Sequence, residues 1–165
     1  MNVTFDGNCP HNPIYAAILT KGIAAITHRI EVDASSIQWI VYDSNHAPDL
    51  TAYGKPKSTL QQLNEKFMLS SPQIRRQYGV SEYGFCYICS KTIYISSKTI
   101  LSYRNLPPVP SFPPQVNFML NRRAGPSLFT SVILDELTHI VTGKEHDSPE
   151  YKATLASYYQ KCMDL

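Results

Sequence analysis

Apolar positions fall at helical spacing in three stretches of the chain and in short β-type runs in two others. In residues 12–27, Ile14, Ile18, Leu19, Ile23 and Ile26 follow helical spacing, so they line one side of a helix. Asn12 supplies a capping side chain, and Pro13 suits the first helical position. Residues 36–42 are dense in β-branched and aromatic side chains and predict a strand. Residues 43–58 carry Asn45, Pro48, Gly54 and Pro56, which mark a loop. Over 59–78 the pattern supports no more than a short helix around 60–67. A second β region spans 83–96, as a hairpin or as two strands. Within it 92–95 is the firmer strand, and Ser90-Lys91 is a weak turn signal.

The run 106–114 holds five prolines, too many for a helix or a central strand, and predicts an extended connector. Two helices follow. The first starts after Gly125 with Pro126 at its first position, and Leu128, Phe129, Val132, Ile133, Leu137, Ile140 and Val141 form its apolar stripe. Gly143 is its stop. The second begins at Ser148-Pro149-Glu150, a capping residue followed by Pro and an acid. The order of helix, strands, helix, helix makes the fold class α+β.

The 165 residues suit one domain with a real core. Apolar residues make up 43% and charged residues 17%, a globular balance rather than a disordered one. A net charge of +2 and scattered Lys and Arg give no independent sign of a nucleic-acid partner. Residues 1–13 lack a basic, then apolar, leader, and no run reaches the roughly 18 apolar residues that span a bilayer. A soluble, cytoplasmic protein without a membrane partner is the expectation. Its four cysteines, Cys9, Cys86, Cys89 and Cys162, are then expected as free thiols.

The chemistry gathers in Asp135-Glu136-Leu137-Thr138-His139 and the residues up to His146. Asp135 and His139 are four apart, so on a helix they stack one turn apart on one face, near enough to share an ion. Gly143 lets the chain turn back and brings His146 in as a third ligand. Three protein ligands and an open position is the usual arrangement of a catalytic zinc.

This segment resembles the zincin metallopeptidases, whose helix carries His-Glu-x-x-His. It is closer to SprT-like proteins and minimal gluzincin-like peptidases. In those, a strand precedes the helix, and a further His and a Ser/Gly-Pro-x-aromatic helix start follow it. Here the matching pieces are residues 92–96, then Asp135-Glu136-Leu137-Thr138-His139, then His146, then Ser148-Pro149-Glu150-Tyr151. The likeness covers about residues 85–160 of what would be a single zincin-like domain. It implies a small mixed sheet, an active-site helix and a following C-terminal helix. It implies Zn2+ held by Asp135, His139 and His146, and Glu136 as general base on a metal-activated water, hydrolysing a protein or peptide substrate. It further implies that the strand at 92–96 forms the rim of the cleft and pairs with an extended substrate. A nucleic-acid link comes from the SprT-like analogy alone, and the oligomeric state is left open.

The departure from the family is Asp135, where the family has His. Asp binds zinc through oxygen at about 2.0–2.2 Å, but its shorter side chain draws the ion nearer the helix. Its negative charge also makes a bound water less acidic. The alternative is therefore a catalytically inactive zincin-like protein that binds protein or nucleoprotein partners.

Other candidates read as structural. Cys86 and Cys89 form a lone Cys-x-x-Cys and are expected as core cysteines. Cys9 is expected at the surface before the first helix. His28 and His46 are expected to be solvated. Glu150 is a reserve third ligand, and Asp147 is expected to orient a ligand imidazole. Of the 11 tyrosines, with Tyr151, Tyr158 and Tyr159 on the last helix, one near the metal would stabilise an oxyanion in the transition state, while most are expected to pack with one wet edge.

Overall fold

The structure is a computed structural model that describes residues 1–6, 9, 11–43, 83–103 and 125–165. The expected loop at 44–58, the short helix near 60–67, His46 and the proline connector at 106–114 lie outside the described residues. Those described form a mixed α/β fold with four strands in one sheet and four helices. In chain order these are β1 (Asn2–Phe5), α1 (Pro13–Ile30), β2 (Gln38–Tyr42), β3 (Gly84–Tyr87), β4 (Thr92–Ser96), α2 (Ser97–Ile100), α3 (Leu128–Thr142) and α4 (Pro149–Lys161).

The sheet order is β1-β2-β4-β3. β1, β2 and β4 run parallel, with Asn2 opposite Gln38 and Gln38 opposite Thr92. β3 runs antiparallel to β4 as the first arm of a hairpin, with Tyr87 opposite Thr92. β2 and β4 are interior strands covered on both faces, which is why their sequences read as nearly continuous apolar runs. Trp39, Val41, Ile93 and Ile95 point to one face. There they meet Leu19, Ile23 and Ile26 of α1 and Phe129, Ile133, Leu134 and Leu137 of α3. Ile40, Tyr42 and Tyr94 point to the other, with Phe85 stacked on Tyr94 at 4.7 Å between ring centroids.

α1 starts as expected. The Asn12 side chain accepts from the Ile14 and Tyr15 amides at 2.9 and 3.4 Å. It runs on to Ile30 because that side chain extends the buried stripe of Ile23 and Ile26. α3 differs at its start. Leu128, not Pro126, is its first residue, and Ser127 caps it, its hydroxyl accepting from the Thr130 amide at 3.2 Å. Its end is as expected: Gly143 takes the left-handed conformation (φ 66°) and its amide donates to the His139 carbonyl at 2.8 Å. Ser148 stands at the cap of α4 without a side-chain capping bond, so Pro149 sets that start.

Two expectations are corrected. β1 lies in a segment with no predicted strand. Cys9 is buried in the main core rather than exposed, because β1 carries the chain into the sheet just before it. All four cysteines are free, as expected. Among the described residues no helix is long and apolar enough to cross a membrane.

Gly84 fixes how closely β3 approaches α3. A Cβ there would lie 2.8 Å from Val132 Cγ1 and 3.0 Å from the Tyr94 carbonyl oxygen. Strand propensity alone favours Val at this position. The close approach reverses that preference. Gly84→Val is expected to destabilise the protein by about 1–3 kcal/mol through overpacking, read as a lower urea midpoint at unchanged slope.

Candidate metal centre

The site lies where the last turns of α3 pass the edge of the sheet. α3 buries Phe129, Ile133, Leu134 and Leu137 against the core. Its adjoining side then carries Val132, Asp135, Glu136 and His139 into a cleft of about 430 Å³. Tyr83, Gly84, Phe85 and Cys86 of the β3 arm line the opposite wall, and Glu145 and His146 close one end. The sequence placed the rim at 92–96. That stretch is β4, which is interior, and β3 is the edge strand on this side among the described strands.

Asp135, His139 and His146 come together as expected, each offering one ligand atom, with all three atoms within 4.8 Å of one another. His139 is buried, and its two nitrogens are distinguished by their partners. Nδ1 lies 2.7 Å from the Lys144 carbonyl, which can only accept, so Nδ1 carries the proton of the neutral ring. Nε2 is then left with its lone pair facing the site. It lies 3.1 Å from His146 Nε2, which in turn lies 3.4 Å from Asp135 Oδ1. Donor atoms around a tetrahedral zinc, at about 2.0–2.2 Å from the ion, are about 3.3 Å apart. Two imidazoles and one carboxylate at such separations are close enough to hold one metal ion. Paired imidazoles suit zinc, copper, iron or nickel better than magnesium or calcium.

The surroundings favour a cation. The site sits at the C-terminal end of α3, where the helix dipole is negative, with Asp135, Glu136 and Glu145 close by. Glu136 is buried beside Asp135, and its carboxyl is pushed up to about 8. Burial is the main cause; Asp135 and Glu145 add to it, and a hydrogen bond from Cys86 opposes it. The Cys86 thiol is itself held well above the usual thiol range, chiefly by burial and then by the Glu136 charge. It therefore stays protonated and donates to Glu136. Cys86 lies on the edge strand and Cys89 in the turn after it, so they form no pair, but Cys86 lines the cleft instead of serving only the core.

The other reserve residues fall elsewhere. Glu150 and Asp147 are exposed, and the group that orients His139 is the Lys144 carbonyl rather than Asp147. His28 lies on α1, away from the cluster. Tyr151, expected chiefly to pack, enters the site. It is 2% exposed, and its hydroxyl donates to Asp135 Oδ1. Its ionisation is pushed up, first by burial and then by that bond, so it remains a phenol and a donor.

Compared with protein-family models, with curated proteins and with solved structures, the chain gives no match. The case for a function therefore rests on the site.

Proposed function

We propose that this protein is a zinc-dependent peptidase of the zincin kind, in which Asp135, His139 and His146 hold the ion and Glu136 is the general base. One observation carries the reading. Three donor atoms of the right types converge at the end of a cleft that has a buried carboxyl beside them and an edge strand along one wall. A zinc ion held there would polarise a substrate carbonyl and acidify a water molecule. Glu136 accepts the proton that the attacking water gives up and returns it to the departing amine nitrogen. The ion's positive charge favours the carboxylate form that this role needs. β3, the edge strand among the described strands, lines one wall of the cleft, which fits an extended protein or peptide substrate.

Asp135 favours a second reading, in which the cleft binds peptide and no longer cuts it. One assay separates the two. Zinc-loaded protein is incubated with a pool of quenched fluorescent peptides, with and without 1,10-phenanthroline. Cleavage is expected, abolished by the chelator and restored by added zinc. Peptide retention without cleavage would select the binding module. Cleavage indifferent to the chelator would end the metal reading.

A further inference from the structure

Tyr151 touches all three candidate ligands. Its hydroxyl donates to Asp135 Oδ1. Its ring lies 4.6 Å from His139, inclined by 34°, and meets His146 edge-on at 5.0 Å and 85°. The oxygen it holds, Oδ1, is the one that faces His146 Nε2. Asp135 is only partly buried, and a carboxylate free to turn would offer either oxygen or neither. The phenol removes that freedom. It arrives from the first turn of α4, whose start is fixed by Pro149 and by the Ser148 amide bonded to the Glu145 carbonyl at 3.1 Å.

We infer that Tyr151 is a positioning residue for the metal centre, holding Asp135 Oδ1 in the site and drawing charge from it, so that a carboxylate serves where an imidazole otherwise would. The inference rests on the metal reading above. The chemistry is specific to an oxygen ligand. A hydrogen bond donated to a ligating carboxylate orients it and lowers the negative charge it passes to the ion, and outer partners of this kind tune affinity by about 10–100-fold. An imidazole at position 135 is larger and neutral, and carries no negative charge for a donated hydrogen bond to draw off.

The test uses Tyr151→Phe, which keeps the ring and deletes the hydroxyl, in the wild-type and Asp135→His backgrounds. Zinc affinity is read by competition with a chromophoric chelator, and folding by circular dichroism. The visible spectrum of the cobalt-loaded protein reports the ligand field. Tyr151→Phe is expected to weaken zinc binding about 10–100-fold with Asp135 present, to alter the cobalt bands, and to do neither in the Asp135→His background. Equal affinity in wild type and Tyr151→Phe would overturn the inference and leave the metal reading standing. Equal losses in both backgrounds would reduce Tyr151 to a packing residue, which also overturns it. Should Asp135→His fail to fold, the cobalt spectrum of Tyr151→Phe decides alone, and unchanged bands count against the proposal. A wild-type chain that takes up neither zinc nor cobalt removes the metal reading itself, and this inference with it.

Discussion

His139→Ala is expected to abolish metal binding: about one zinc per chain in the wild type, and none in the variant, by elemental mass spectrometry of the purified proteins. Of the three candidate ligands His139 is the best fixed. It is 5% exposed, and the Lys144 carbonyl sets both its ring orientation and its tautomer. The other two are looser, with side-chain exposures of 34% for Asp135 and 66% for His146. Without His139 only a half-buried carboxylate on α3 and an exposed imidazole in the turn after it are left. The loss of affinity should therefore exceed the roughly 10–100-fold that removal of an outer partner costs. The substitution also frees the Lys144 carbonyl, at about 1–3 kcal/mol of stability if that group stays out of water. Circular dichroism separates the two effects, since a folded chain without zinc is the expected state. Retention of zinc by His139→Ala would place the ion elsewhere.

Glu136→Gln is expected to do the opposite, keeping the metal and losing turnover. The amide has the size of the carboxyl and accepts from the Cys86 thiol as the acid does, but it cannot take a proton from water. Loss of a general base costs about 10²–10⁴-fold in rate. A second effect follows in the metal-free protein. A carboxyl raised from its ordinary value of 4.5 to about 8 favours the folded chain while it is protonated. That contribution is whole below about pH 4.5 and is lost as the pH rises to about 8. Wild-type stability should fall across that window, and Glu136→Gln should lack this part of the slope. Urea midpoints of the two metal-free proteins at several pH values measure it. If turnover survives in Glu136→Gln, the base is another group.

The sequence made α3 and its ligands legible because everything that defines them is local. The apolar stripe, the four-residue step from Asp135 to His139 and the stop at Gly143 all lie within a few turns. The parts that depend on distant pairing were harder to read. Asn2–Phe5 is a short strand whose pairing partner among the described residues is β2, far along the chain. The zincin resemblance implies a cleft rim at 92–96, a run whose β composition is the stronger of the two. Yet a strong apolar run marks an interior strand, and the weaker Gly84–Tyr87 takes the edge. Cys86 and Cys89 form no pair, and the approach of Cys86 to Glu136 needs the β3–α3 packing that Gly84 permits. Tyr151 was visible as the aromatic of a helix start. Its role follows from a turn between α3 and α4 that brings it back over Asp135.

His139 and His146 are seven residues apart, and Asp135 and Tyr151 sixteen. An unfolded chain closes a loop of about ten residues in roughly 10–100 ns. The parallel pairings cannot form so soon, since Gln38 must find Thr92 across a long stretch of chain. On the proposed metal reading, the α3–α4 corner would gather its ion before the sheet is made. Zinc present during refolding would then raise the folding rate, rather than only delaying the escape of a chain already folded.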